Sequence, residues 1–339
     1  MFRAVDYWFA FDCEDLVLAG LLDETFEHCR VDAVEAGVEV HTISLTVTDD
    51  DVTIHVGDRS TSARRQTAVQ SVVSLVNLGA FQDRSADLPV LHGGAVVEVG
   101  RTDAVLVLGK SGSGKSTLVS SLLTNPGGHY LADELVAVRS ANRVTGYPKA
   151  ITLKEGAWGP VLFDMPKRTE RESEFFATVE FVTPEHAGAS GVLAEATPGP
   201  ILFPTWDGDA HEAEVESLSW GNGVVGLCEA AHRPMSPSAF HLLADMAARC
   251  PSFRVRYRTT SQALGTISTI RGGAGAESGA VDHFPVIDGG LLHGVSIGEE
   301  TVVFRPADGA LMLVADLLRD AWEAMAAADD HPLRDALMD

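Results

Sequence analysis

Gly109-Lys110-Ser111-Gly112-Ser113-Gly114-Lys115-Ser116 decides how this chain is read. The stretch satisfies G-x-x-x-x-G-K-[ST] in full, and it sits where that pattern must sit. The apolar strand AVLVL (Ala104–Leu108) precedes it, and the helical run STLVSSLL follows. The glycines let the backbone wrap a phosphate so that successive N–H groups point inward, and the start of the helix adds partial positive charge at the same spot. Lys115 supplies a full charge within reach of the outer phosphates, and the Ser116 hydroxyl can ligate Mg2+. The expected nucleotide-binding set is Gly109, Ser111, Gly112, Ser113, Gly114, Lys115, Ser116 and Thr117, with ATP and Mg2+ as the ligands. The pattern places the chain in the α/β class.

Downstream, Asp133 and Glu134 follow Lys115 by eighteen and nineteen positions, in the strand-like GHYLADELVAV. A strand after the loop's helix can set both carboxylates beside the terminal phosphate. One would hold the metal and the other would accept a proton from an attacking hydroxyl. The plainer alternative is an acidic pair at an exposed strand end. Upstream, His92-Gly93-Gly94 lies on a strand expected to run beside AVLVL, joined to it by the hairpin-like turn Arg101-Thr102-Asp103. A lone histidine is more often structural than chemical.

Around this centre the chain divides into three units. Residues 1–88 form a small α+β unit, with a helix over Glu14–Cys29 and alternating strands over Val38–Val47 and Val52–Val56. The turn between those strands is Asp49-Asp50-Asp51, and a second helix covers Ala63–Phe81. No reactive group assembles there, so the unit reads as scaffold. Residues 89–271 carry the core, which includes SFRVRY and a helix over Ser236–Arg249 with Pro237 in its first turn. The glycine-rich Arg271–Gly279 reads as a linker. Residues 280–339 then form a small module of short strands and a helix.

Composition bounds the partners. With 339 residues, 45% hydrophobic and 22% charged, the chain can bury a sizeable core. The excess of 48 acidic over 25 basic residues, a net charge of −23, argues against nucleic acid and anionic membranes as partners. The same field repels ATP, so a nucleotide site has to build its own local positive pocket. The four cysteines, Cys13, Cys29, Cys228 and Cys250, form no CxxC pair and read as buried thiols in a reducing compartment. The opening MFRAVDYWFAFDCEDLV lacks the basic leader of a signal peptide, and no apolar run reaches the ~18 residues of a membrane span. Cytoplasmic location is the default expectation.

Taken in order, LHGGAVVEVGRTDAVLVLGKSGSGKSTL and GGHYLADELVAV resemble the core of the HPr kinase/phosphorylase family. The likeness is specific over residues 90–140. It is looser in TGYPKAITLK and PSFRVRYRTTSQALGTI, which look like the broader group of HPr-kinase-related proteins, some acting on peptide precursors in natural-product pathways. The resemblance implies a phosphoenolpyruvate-carboxykinase-like P-loop core and Mg-ATP-dependent phosphorylation of a serine hydroxyl. By position, Asp133 matches the family's catalytic acid/base, Glu134 its second aspartate, Lys115 and Ser116 its P-loop pair, and His92 the histidine near the catalytic acid. The metal set it implies is Ser116 with Glu134. The sequence departs from the family in its second acid, which is Glu, and in Thr117 after Gly-Lys-Ser. It also lacks the E-x-R-G signature, Thr269-Ile270-Arg271-Gly272 being the nearest string. Those departures favour a one-way kinase over a reversible kinase/phosphorylase acting on HPr. The C-terminal segment is faintly similar to peptide-binding modules of the pyrroloquinoline-quinone D type. Oligomeric state is open, with a homo-oligomer in view because bacterial members of the family form rings.

Three functions from different classes fit these residues. The first is an ATP-dependent kinase whose acceptor is a peptide or protein serine, or a small-molecule alcohol. The second is a nucleotide-dependent switch or transport ATPase, against which no LSGGQ-like signature occurs. The third is a binding module that retains only the nucleotide pocket, against which both Lys115 and Asp133 are present. For the cation that neutralises the transferring phosphate, Lys154, Arg168 and Arg233 are the candidates.

Overall fold

The computed structural model describes residues 1–34, 36–154, 167–176, 179–232, 235–273, 280–284, 287, 292–315 and 319–327, with backbone only at 125–126, 271–273, 315 and 319–321. It is a mixed α/β structure built on several sheets.

The first sheet has the order β1 (Phe2–Ala4), β2 (Tyr7–Cys13), β3 (Val40–Thr48), β4 (Asp51–Val56), β5 (Arg59–Arg64). Only β2 and β3 pair in parallel. Helix α1 (Leu16–Thr25) starts where Asp15 accepts from the N–H groups of Val17 and Leu18 at 2.9 and 3.0 Å. Two of the helix's four orphan donors are thereby satisfied. Helix α2 (Ala68–Gln82) buries Val69, Val72, Val73 and Val76, the i, i+3, i+4, i+7 stripe expected of a helix on a sheet. Each such side chain contributes roughly 1.5–3 kcal/mol by leaving water. The helix begins five residues later than the sequence pattern suggests, because residues 59–64 form the edge strand β5. RSTSAR has no apolar face to announce a strand; its hydrogen bonds to β4 make it one.

The second, nine-stranded sheet contains β6 (Val90–Glu98), β7 (Asp103–Leu108), β8 (Gly128–Ala132), β9 (Leu135–Ser140) and β10 (Arg143–Gly146). After β11 (Ile151–Lys154) and β12 (Val179–Val182), which pair with each other, come β13 (Gly191–Val192), β14 (Glu195–Trp206), β15 (Glu214–Ser217) and β16 (Ser252–Tyr257). The helices are α3 (Lys115–Leu122), the single-turn α4 (Glu170–Ser173), α5 (Trp220–Ala230), α6 (Pro237–Ala247) and α7 (Thr260–Gly273). Strand β7 shows why its sequence is apolar without a break. Val105 and Val107 pack with Leu118 and Leu122 of α3 and with Ile267 of α7, whereas Leu106 and Leu108 join Leu227, Phe240 and Leu243 of α5 and α6. Successive side chains alternate between two buried faces.

Direction matters most for function. Strand β6 runs antiparallel to both β7 and β8, so β7 and β8 run the same way. Strand β14 is parallel to β7, and β16 is parallel to β14. The carboxyl ends of β7, β8, β14 and β16 therefore share one edge, where open α/β sheets bind ligands. The run HYLADELVAV is two strands, not one: β8 ends at Ala132, and β9 starts at Leu135. Both pair with β6, and Asp133-Glu134 lies in register opposite Gly94-Gly93, the one shift in that register falling earlier, at Leu131. A Cβ on Gly93 would stand 2.5 Å from Val107 O, and one on Gly94 2.9 Å from Ala132 O, so the double glycine is sterically required.

Beyond α7 a four-stranded sheet, β17 (Asp282–His283), β18 (His293–Ile297), β19 (Glu300–Arg305) and β20 (Ala310–Ala315), is followed by α8 (Arg319–Ala327). Val295, Val302 and Phe304 join the core formed by α5 and α6, while Val303, Trp322 and Met325 belong to a separate apolar cluster. Helix α7 takes in the first residues of the sequence-predicted linker; 274–279 lie outside the described residues. The four cysteines form no disulfide, Cys13 being partly exposed and the other three buried. No helix among the described residues is long and apolar enough to cross a membrane.

Candidate functional site

The glycine-rich loop connects the end of β7 to α3. Gly112 and Gly114 have φ of 85° and 93°, left-handed values that side chains rarely tolerate. Gly114 is doubly constrained: a Cβ there would stand 2.3 Å from Tyr257 Oη. That hydroxyl donates to Gly114 O at 3.1 Å, and Trp206 N–H donates to Ser113 O at 3.2 Å, so the ends of β16 and β14 brace the loop. Gly109 N–H donates to His92 O at 3.5 Å, tying its start to β6. Helix α3 has no side chain capping its N-terminus. Its first N–H groups are left for an anion.

Two lysines reach the loop. Lys115 is buried, and its Nζ donates to Lys110 O at 2.8 Å. Burial lowers its pKa, partly offset by Asp133 and Glu134. Lys154, from β11, donates to Ser111 Oγ at 2.9 Å. Ser113 Oγ is buried without a hydrogen-bond partner. Thr117 sits one turn before Ser121, whose hydroxyl donates to its carbonyl at 2.8 Å. Lys115 and Lys154 thus bring positive charge to this loop.

The acidic pair faces the start of α3. Asp133 is 1% exposed, and its Oδ2 accepts from Thr152 N–H at 3.0 Å. Its Oδ1 is buried with no hydrogen-bond partner. Burial raises the Asp133 pKa, and Glu134 adds to the rise; Lys149, the Thr152 N–H and the Ser116 hydroxyl oppose it. Glu134 goes the other way. Burial pushes against ionisation, but Lys149, Asn77, His92 and Thr152 together hold the group below its ordinary range. Its Oε1 accepts from Thr152 Oγ1 at 3.3 Å and lies 3.6 Å from Lys149 Nζ, while Oε2 accepts from Asn77 Nδ2. Two neighbouring carboxylates pushed apart in pKa are the pattern of a divided acid–base task.

His92 lies on β6 across from Leu135 and packs edge-on against His232 at 6.0 Å. Burial, then the charge of Lys115, lowers its pKa, which favours the neutral imidazole. His232 stacks on Phe81, and burial takes its pKa down to about 4.

Three participants were not singled out from sequence. Lys149 is fully buried, with Nζ donating to Ala150 O at 2.8 Å and Thr152 Oγ1 at 2.7 Å. Asn77 comes from α2, in the unit read as inert scaffold, and bonds Glu134 directly. Long-range packing thus delivers one polar group of that unit to the acidic pair. Trp206 stands at the far side of the loop. Among the phosphate-neutralising candidates, Lys154 is at the loop. Arg168 is instead committed to Glu24 at 3.1 Å, Glu180 at 3.3 Å and Phe181 O at 3.0 Å. Arg233 lies outside the described residues.

No family model and no curated protein sequence matches this chain. Among solved structures it is similar to the HPr(Ser) kinase/phosphatase from Coxiella burnetii, at 12% identity and a TM-score of 0.27, over 54% of this chain and 94% of that one. With a TM-score this low the likeness adds nothing to the site, which is read from its own residues.

Proposed function

We propose that this chain is an ATP-dependent phosphotransferase that moves the γ-phosphate onto a hydroxyl of a peptide, protein or small molecule. The observation that carries the reading is Asp133: a buried carboxylate with one unpartnered oxygen, set beside the first turn of the helix that follows a glycine-rich phosphate loop. Burial raises the pKa of that carboxylate, so it holds a proton arriving from an acceptor hydroxyl more readily than an exposed aspartate would. Residues 89–271 form the catalytic core in this reading, with 1–88 and 280–339 as accessory units.

The loop N–H groups and the uncapped start of α3 would cradle the phosphates. Lys115 would exchange the Lys110 carbonyl for a phosphate oxygen, and Lys154 would add charge at the loop. Oxygen donors suit Mg2+, which is usually held by one or two protein oxygens together with phosphates. Ser116 and Glu134 would hold it here, and when bound it supplies neutralisation of phosphate charge. Glu134, kept ionised by Lys149, keeps a second negative charge beside Asp133. Asp133 Oδ1 would take the hydroxyl proton as the acceptor oxygen bonds to the γ-phosphorus and ADP departs. Neutral His92 would border the same pocket and orient the acceptor.

Incubation with γ-labelled ATP and a panel of serine peptides and small alcohols tests this. Slow hydrolysis alone, and label on an organic product when the right acceptor is added, is the expected result. Rapid acceptor-independent hydrolysis with label only in inorganic phosphate would replace the kinase by a switch ATPase.

A further inference from the structure

We propose that Trp206 is the platform on which the nucleotide base stacks, and that it reads the flat face of the base rather than its edge. The inference rests on the phosphate loop being the nucleotide site. Four tryptophans lie among the described residues. Trp8, Trp220 and Trp322 are buried, whereas Trp206 is 56% exposed. A large apolar ring left in water beside a candidate site asks for an occupant.

The ring is exposed but not loose. Its Nε1 donates to Arg258 O at 3.0 Å, and its backbone N–H donates to Ser113 O, inside the glycine-rich loop. Gly208 lies against the six-membered ring, where a Cβ would come within 3.3 Å. An indole with its polar atom satisfied and one flank packed offers a rigid apolar surface that loses little entropy on binding.

Topology gives the direction. Asp133 follows β8 and Trp206 ends β14, on opposite sides of the loop that follows β7. Across the sheet, β8 to β14 is three strand spacings, or roughly 14 Å at ~4.8 Å each. A triphosphate wrapped on the loop with its terminal phosphate towards Asp133 would direct its ribose and base towards Trp206. The indole has its one donor engaged and offers no free hydrogen-bonding edge. Stacking of this kind tolerates any base.

The test is calorimetric binding of Mg-ATP, Mg-GTP and inorganic tripolyphosphate to the full chain, to Trp206→Ala and to Trp206→Phe. Trp206→Ala is expected to weaken both nucleotides by roughly ten-fold or more and by similar factors. Tripolyphosphate should bind as it does to the unaltered chain, and Trp206→Phe should retain most of the nucleotide affinity. Unchanged nucleotide affinity in Trp206→Ala overturns the base platform and leaves the phosphate loop standing. Equal weakening of tripolyphosphate also overturns it, because the indole would then be acting by bracing the loop. An unaltered chain that binds neither nucleotide nor tripolyphosphate takes down both readings.

Discussion

Lys115 and Lys149 are both buried lysines in the field of the same two carboxylates, yet their surroundings are opposite. Lys115 has one hydrogen bond among the described residues, to a carbonyl of its own loop. Lys149 is anchored by Ala150 O, Thr152 Oγ1 and the Glu134 carboxylate, and its Nζ lies 5.8 Å from the Phe181 ring centroid. A buried ammonium with a single hydrogen bond is disfavoured where it sits and gains by meeting an anion. An ammonium with three partners is already satisfied and serves as fixed charge. Burial alone does not separate ligand-binding groups from structural ones; the number of partners does.

Exchanging each lysine should therefore fail in different ways. Lys115→Ala is expected to reduce phosphoryl transfer by roughly 10³-fold, the scale of losing a preorganised charge at the reacting group. Its urea midpoint should match or exceed that of the unaltered chain, because burial disfavours the charge it removes. A clear drop in midpoint with retained turnover would reverse the assignment of the two lysines.

Lys149→Met should do the converse, losing about 3 kcal/mol in denaturant unfolding because the half-buried Glu134 loses its counter-ion. It also moves the pH profile. Asp133, raised by burial, must be ionised to act as a base, so activity falls as pH drops through a value above that of an ordinary aspartate. Lys149 is the largest influence pulling that value down. Removing it raises the Asp133 pKa further, and the acidic limb of kcat should shift to higher pH. Folding shows the same sign: a carboxyl whose folded pKa is raised costs stability as pH rises from its unfolded to its folded value. A limb that stays in place in Lys149→Met would show that the lysine does not act on Asp133.

The smallest effect belongs to Asn77→Ala, which removes a hydrogen bond to an ionised group worth about 1.5 kcal/mol. Glu134 would lose one of the groups holding its pKa down. Its own titration should rise modestly, visible by NMR of the side-chain carboxyl. No change there would mean that α2 touches the site without tuning it.

The legible part of this molecule is the part made by neighbours in sequence. The glycine-rich loop could be read directly because φ values near 90° at Gly112 and Gly114 and the adjoining strand and helix are local demands. Asp133 and Glu134 stand out for the same reason, being the first acids in the sequence after the glycine-rich loop. Their place opposite Gly93-Gly94 does not, because it depends on pairing with a strand distant in sequence. Lys149 left a faint signal, a single charge inside the otherwise uncharged GYPKAITL. Asn77 and Trp206 left none, since an asparagine on a helix and a tryptophan at a strand end acquire meaning only from what the tertiary fold sets beside them. The same limit misdirected the reading of Arg168, whose partners Glu24 and Glu180 are distant or unremarkable in sequence.

The most direct test of the account is the single-turnover rate of Asp133→Asn beside its ATP affinity. Asparagine keeps the shape of the group and removes its ability to take a proton. With an acceptor that the unaltered chain phosphorylates, the rate should fall ~10²–10⁴-fold while Mg-ATP binds as before. An Asp133→Asn chain that transfers phosphate at the unaltered rate would contradict the central claim, that this buried carboxylate is the base beside the phosphate loop.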